Sequence, residues 1–188
     1  MTASVGMSHP RFCAGQMTLT VSGIRVHTWS RYAGPDQDAA PVALPPLTED
    51  GELPLGVHAA SLREVLERFG AGSAQRKALA LRLARVYGVA QATGHLGRFA
   101  VFGSFVTNTL EPHDVDVFLV MADTFDVSNL TGDARLLFDH GAAQAHFGAS
   151  VFWVRHLAAW QGEQAAVEFW QVKRDGGRRG IVEITSEV

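Results

Sequence analysis

Apolar positions recur along this chain with two different spacings, and the change from one to the other marks the predicted elements. Between Leu62 and Phe69 they recur every three or four residues, which is typical of a helix with one buried face. Ser61 and Glu64 have the spacing of a capping box, and Gly70 follows as a stop signal. Ser73 marks the start of a second predicted helix in the same way.

Continuous apolar runs rich in Val and Phe then predict buried strands. They lie at residues 99–102, 115–121 and 149–155, and a shorter run at 180–184 predicts a last strand. The helical spacing returns at 130–147 and at 160–172, so each is expected to form one helix. Strands that alternate with helices predict a domain of the α+β (or α/β) class.

The first part of the chain has a weaker pattern, a loose alternation at residues 18–29 that is typical of a strand or hairpin. Residues 1–16 show no periodicity, and five of the seven prolines lie at positions 35, 41, 45, 46 and 54. Proline fixes φ and removes a backbone donor, which favours an extended linker. We therefore expect residues 1–52 to form a disordered or extended arm with a proline-rich linker, and residues 53–188 to form the domain.

Composition narrows the class of protein. The chain has 188 residues, of which 47% are hydrophobic and 19% charged, as in a globular domain with its own core. A net charge of −3 gives no overall attraction to nucleic acid or to an anionic membrane. A single cysteine, Cys13, precludes an internal disulfide. It also fits the reducing cytosol. Since no apolar run approaches the ~20 residues of a membrane span, we expect a cytoplasmic protein with no membrane partner.

Two acids interrupt one of the apolar strands. Asp114 and Asp116 flank Val115, and alternate residues of a strand point to the same face, so the two carboxylates should lie together. Paired carboxylates in apolar surroundings are costly unless a cation neutralises them. Mg²⁺ prefers such oxygen ligands, so we expect a Mg²⁺ site formed by Asp114 and Asp116.

The preceding apolar run ends at Gly103 and Ser104. Glycine allows a sharp turn and a close approach to a ligand, and a helix that begins near Ser104 would present free amides to phosphate. A phosphate-binding turn followed by a metal-binding acid pair suits a Mg²⁺-bound nucleoside triphosphate.

The sequence Gly-Ser, a spacer, then Asp114-Val115-Asp116-Val117 resembles the signature of the DNA polymerase β-like nucleotidyltransferase superfamily. More narrowly, it resembles a family of small bacterial and phage proteins with that domain. The resemblance implies a minimal nucleotidyltransferase fold, with a mixed central sheet flanked by helices. It implies Mg²⁺-dependent transfer of a nucleoside monophosphate from a triphosphate to a hydroxyl of a small molecule, a protein or RNA.

The resemblance also assigns roles to residues. Asp114 and Asp116 would be the catalytic and metal-binding acids, and Gly103, Ser104 and Arg179 would contact the nucleotide. Thr107 is a further candidate for this contact, with an ordinary loop position as the alternative. The basic group Lys173, Arg174, Arg178 and Arg179 either binds phosphates or forms a solvated hairpin.

One departure from the superfamily pattern bears on activity. A third carboxylate is expected on the neighbouring strand, where this chain has Ser150. A neutral serine cannot replace a charge, so whether the protein is an enzyme stays open, with Asp139 and Glu168 as substitutes from elsewhere in the chain. The alternative function is a catalytically impaired binding module of nucleotidyltransferase fold, as in a toxin–antitoxin or defence component.

Overall fold

The computed structural model describes residues 44–159 and 161–185, so most of the predicted arm lies outside the described residues. The strands are β1 (Val57–Ala60), β2 (Leu96–Phe102), β3 (Val115–Met121), β4 (Ala149–Arg155) and β5 (Ile181–Ile184). The helices are α1 (Leu62–Phe69), α2 (Ala74–Ala92), α3 (Gly132–Leu137), α4 (His140–Phe147) and α5 (Glu163–Phe169).

The five strands form one sheet in the order β1-β5-β2-β3-β4. β1 pairs with β5 and β3 with β4 in parallel, whereas β2 is antiparallel to both of its neighbours. The sheet is therefore mixed and has helices packed against it, which confirms the predicted α+β class. β1 was not predicted, and it lies at one edge, with β4 at the other.

Side chains of successive residues point to opposite faces of this sheet. Val115, Val117 and Leu119 of β3 contribute to a large core, whereas Phe118 and Val120 belong to a second, smaller cluster. We call the side with the large core the closed face, because helices α1 to α4 contribute buried residues to it. The opposite side, which we call the open face, receives its helical cover from α5 through Val167 and Trp170.

The first two helices begin as predicted. The Ser61 hydroxyl accepts from the Glu64 amide at 3.2 Å, and the Glu64 carboxylate accepts from the Ser61 amide at 2.7 Å, which completes the capping box. Ser73 caps α2 by accepting from the amide of Arg76.

The single helix predicted at 130–147 is wrong. The chain there forms α3 and α4, because the Asp139 carboxylate accepts from the Ala142 amide at 2.8 Å and starts a new helix. The helix predicted at 160–172 is shorter than expected, since α5 ends at Phe169.

Residues 44–52 lie against the domain. The Arg68 guanidinium donates to the carbonyls of Leu44 and Pro45, each at 2.6 Å, and the Asn108 amide donates to the carbonyl of Gly51 at 2.8 Å. The packed chain thus extends back to Leu44, earlier than the boundary expected at residue 53. None of the helices in the described part of the chain is long and apolar enough to cross a membrane.

Candidate functional site

A cleft of about 910 Å³ opens on the open face, beside the end of β2 and the start of β3 and β4. Acidic, basic and aromatic side chains share it. Its lining consists of Phe102, Gly103, Ser104, Asp114, Asp116, His140, Gln144, Ser150, Phe152, Phe169, Trp170, Val172, Lys173, Arg174, Asp175 and Arg179. Both predicted acids and the predicted turn are therefore in one place.

The two acids reach the cleft from the start of β3. Asp114 directly precedes the strand and Asp116 is its second residue. Ser150 of β4 is the register partner of Asp116, and its hydroxyl donates to Asp114 Oδ2 at 2.8 Å. The predicted juxtaposition of the acids is thus confirmed, and Ser150 lies beside them. Their role as metal ligands stays a prediction.

Asp116 has an unusual electrostatic environment. Burial in the cleft wall, together with the negative charge of Asp114, raises its pKa to about 6. The cationic side chains of Arg179 and Arg174 oppose this rise and offset it only in part. A further cation beside the two carboxylates would favour the ionised form of Asp116, so the acid pair suits a divalent metal.

The turn after β2 depends on glycine. Gly103 has φ = +80°, and a Cβ atom at this position would overlap the carboxylate of Asp116. Ser104 then begins a helix, but it is a single 3-10 turn, Ser104–Val106, rather than an α-helix. Phosphate binding here would therefore depend on the amides of the turn and on nearby basic residues, without a helix dipole.

Thr107 lies behind this turn and not in the cleft. Its hydroxyl donates to the Ser104 carbonyl at 2.8 Å, and its amide also bonds to that carbonyl. It lines a smaller adjoining pocket with Gly103, Ser104 and Arg179. The structure therefore gives Thr107 a role in shaping the turn, and its predicted contact with a nucleotide stays a prediction.

The basic group divides in two. Lys173, Arg174 and Arg179 line the cleft, whereas Arg178 is exposed and lies outside its lining. The Arg179 guanidinium lies 5.1 Å from the centre of the Phe102 ring, and burial lowers its pKa. A hairpin joins these residues, in which the Lys173 amide donates to the Gly177 carbonyl at 2.8 Å. The predicted hairpin is thus present, and Lys173 within it is paired with Glu52 at 3.1 Å. Phosphate binding by the basic group stays a prediction.

Aromatic rings form the remaining wall. Trp170 stacks on Phe102, with ring centres 4.7 Å apart, and it contacts Phe152 at 4.6 Å. Phe169 is 67% exposed at the mouth. Sequence reasoning missed this wall, because its members come from β2, β4 and the end of α5 and no local pattern joins them.

Arg76 is a second residue that sequence reasoning missed. It is only 7% exposed, and its guanidinium donates to the carbonyls of Phe69, Phe105, Thr107 and Thr109. The last three of these carbonyls belong to the segment that follows Gly103. One side chain of α2 therefore fixes the segment that shapes the turn.

A protein family matches this chain. The model of DUF6932, described as a family of unknown function, matches residues 45–185. The chain belongs to the DUF6932 family. No curated protein and no solved structure matches it. The DUF6932 match covers every residue of the cleft, so the site is part of the family domain, and its function has to be argued from its chemistry.

In this DUF6932 domain the two proposed substitutes for the third acid are engaged elsewhere. Asp139 caps α4, Glu168 accepts from Gln164 Nε2 at 2.8 Å, and neither lines the cleft. Asp175 does line it, with its carboxylate accepting from the Gly177 amide at 2.9 Å. Among the described residues, no three His, Cys, Asp or Glu side chains form a metal-binding group.

Proposed function

We propose that this domain binds a Mg²⁺–nucleoside triphosphate and transfers its nucleoside monophosphate to a hydroxyl acceptor. The observation that carries the proposal is the convergence in one cleft of the Asp114–Asp116 pair, the Gly103 turn and the Arg179 guanidinium. Each supplies one element that a metal-bound triphosphate requires: oxygen ligands, room for close approach of phosphate, and positive charge.

The two carboxylates match the number that a protein usually supplies to Mg²⁺. Mg²⁺ usually takes one or two protein carboxylates and completes its coordination with phosphate and water. Asp114 and Asp116 are such a pair, and Ser150 adds no third charge. When bound, the ion would neutralise charge on the phosphates and favour attack at phosphorus. The proposal therefore predicts weak binding of Mg²⁺ alone and stronger binding together with triphosphate.

The protein's own groups would orient the nucleotide. Arg179 and Arg174 act on Asp116 as positive charges, and Lys173, paired with Glu52, also lines the cleft, which suits a triphosphate tail. The exposed ring of Phe169 and the wall around Phe152 offer flat faces to a base. These faces distinguish no base by hydrogen bonding, so the proposal commits to a nucleoside triphosphate without choosing among the four.

A second candidate function has its own observation. The hydroxyl of Ser150, at the position expected for the third acid, is bonded to Asp114, and the substitute acids lie outside the cleft. A domain of this kind would retain nucleotide binding and lose transfer, as expected for a catalytically impaired module. The two candidates share the same binding step and differ in turnover, so one series of experiments separates them.

The test of binding is calorimetric titration of ATP and GTP with and without Mg²⁺. For the wild type, we expect Mg²⁺ to raise nucleotide affinity by at least about tenfold, or roughly 1.4 kcal/mol. Asp116→Asn should remove this increase and leave the fold intact. The matched control is Asp133→Asn, because Asp133 is an exposed acid paired with Arg85 away from the cleft. Equal affinities in all variants would show that the acid pair is structural.

The test of turnover is a label-transfer screen with the four α-labelled triphosphates. Formation of a labelled product that requires Mg²⁺ and Asp116 would favour the transferase. Mg²⁺-dependent nucleotide binding without labelled product or pyrophosphate would favour the binding module.

A further inference from the structure

His140 is a cleft residue whose position no sequence pattern singled out. It is the first residue of α4, directly after the Asp139 cap, and it lies at the edge strand β4. Its ring faces that of Phe152, with centres 5.0 Å apart and planes 38° from parallel. It lines the same cleft as the two acids. A titratable ring is thus held beside the site by a helix start and an aromatic contact.

The hydrogen bond made by the His140 ring determines which of its two nitrogens can accept a proton. His140 Nδ1 lies 3.3 Å from the carbonyl oxygen of Val151 in β4. A carbonyl can only accept, so Nδ1 must carry the hydrogen of this bond. In the neutral ring, Nε2 then has the lone pair and can accept a proton. The carbonyl thus orients the imidazole as a base.

The proposed transfer needs such a base. Ser150 is in register with Asp116 at the place expected for a third carboxylate, and its hydroxyl already donates to Asp114. The cleft therefore has no acid at the position from which an attacking hydroxyl would be deprotonated. Histidine is the side chain most often used as a general base, and it acts near neutral pH.

We propose that His140 is the general base of this site, a role that rests on the nucleotidyl transfer proposed above. The acceptor hydroxyl oxygen forms a bond to the α-phosphorus, and the bond from that phosphorus to the oxygen bridging to the β-phosphate breaks. Pyrophosphate leaves with the bonding electron pair, and the hydroxyl proton passes to His140 Nε2. The net reaction needs no oxidant or reductant, and the imidazolium later loses its proton to solvent.

Other charged groups share this environment. Those that line the cleft with His140 are Asp114, Asp116, Asp175, Lys173, Arg174 and Arg179. The pH profile of the reaction therefore has to be read by comparison with a variant and not alone.

The decisive variant is His140→Asn, which retains an N–H donor near the Nδ1 position and removes Nε2. The reaction measured is Mg²⁺-dependent pyrophosphate release from each of the four triphosphates, with glycerol as a generic hydroxyl acceptor. We expect a loss of roughly 10²-fold or more in rate, unchanged Mg²⁺–ATP affinity by calorimetry, and partial rescue by added imidazole. The control is His146→Asn, on the same helix but bonded to Asp133 at the surface.

The acidic limb of the rate profile should become shallower in His140→Asn, because protonation of Asp116 alone then remains to produce it. A purely structural role of His140 would leave the slope of this limb unchanged. A variant with wild-type rate and an unchanged profile would overturn the role of His140 while leaving the transferase proposal intact. A wild type that binds Mg²⁺–triphosphate but releases no pyrophosphate would overturn both the base and transfer. A wild type that binds no triphosphate would overturn the nucleotide site itself.

Discussion

The two faces of the sheet are built from the same strands and have opposite properties. On the closed face, Val115, Val117 and Leu119 are fully buried under four helices. On the open face, the intervening positions of β3 include Asp116 and Phe118, and α5 leaves the acid end of the strand accessible as a cleft. A strand with alternating faces thus places costly charges at a site while its other side supplies the stability.

This difference also explains the residues that join the two faces. Arg76 belongs to α2 on the closed side, yet its guanidinium fixes the segment after Gly103, which shapes the cleft. The open face is therefore formed by backbone that the closed face holds in position. Substitutions that change one face and spare the other test this division of roles.

The largest loss of stability is expected for Arg76, which connects α2 on the closed face to the segment after Gly103. Arg76→Met removes the donors to four carbonyls and should lower the free energy of unfolding by about 4 kcal/mol. The buried carbonyls of Phe69 and Phe105 lose their partners outright, whereas water replaces in part those of the part-buried carbonyls of Thr107 and Thr109. Urea denaturation measures this change. Lys77→Met is the control, since Lys77 is the exposed neighbour on the same helix. A loss no greater than that of the control would mean that the segment after Gly103 holds its shape without Arg76.

The next prediction compares the loss of stability caused by one substitution on each face of the sheet. Leu79→Ala on the closed face should cost about 3 kcal/mol of unfolding free energy, because its side chain is fully buried and a cavity remains. Phe169→Ala on the open face should change stability by less than about 0.5 kcal/mol, since the ring is mostly exposed. If Phe169 stacks on a base, the same variant weakens ATP binding. Similar stability losses from both variants would contradict the division between the faces.

A smaller effect follows from the raised pKa of Asp116. Its carboxyl binds a proton more readily in the folded than in the unfolded chain, where the pKa is near 3.8. Well below pH 3.8 both states are protonated and the carboxyl costs nothing. Well above pH 6 both are ionised and the full penalty applies, so stability is lost as pH rises from about 3.8 through about 6. The penalty is at most about 3 kcal/mol without metal.

Asp116→Asn should therefore be more stable than wild type at pH 7.5 and equally stable near pH 3.5, as measured by urea denaturation in the presence of a chelator. Asp133→Asn should show the opposite sign at neutral pH, because the hydrogen bond from Arg85 lowers the pKa of Asp133. A constant difference between wild type and Asp116→Asn across this range would refute the burial argument.

Local signals predicted much of this fold. The capping box at Ser61, the Ser73 cap and the apolar runs gave two helices and most of the sheet, because their causes lie within a few residues of each other. The break at Asp139 was not predicted, because the helical spacing of apolar residues continues through 130–147 and the cap depends on a hydrogen bond between Asp139 and the Ala142 amide. β1 was not predicted, because its four residues, Val57–Ala60, form a strand only by pairing with β5, which lies far along the chain.

The site was predictable to the extent that it is local. Asp114, Asp116 and Gly103 lie within one short stretch. Strand alternation puts the two acids on one face, and the antiparallel pairing of β2 with β3 brings Gly103 beside Asp116. Trp170 directly follows α5 and His140 begins α4, and no periodicity specifies how these helices pack. Their contributions depend on tertiary contacts, which a single sequence does not display.

The position of β5 has a consequence for synthesis of the chain. β5 lies between β1 and β2, so it pairs with strands made more than a hundred residues and about eighty residues earlier. Until residue 184 has emerged from the ribosome, β1 has no partner and one edge of β2 is open. The backbone donors and acceptors of β1 and of one edge of β2 therefore stay exposed during most of synthesis. In this state they can pair with strands of other chains or bind chaperones.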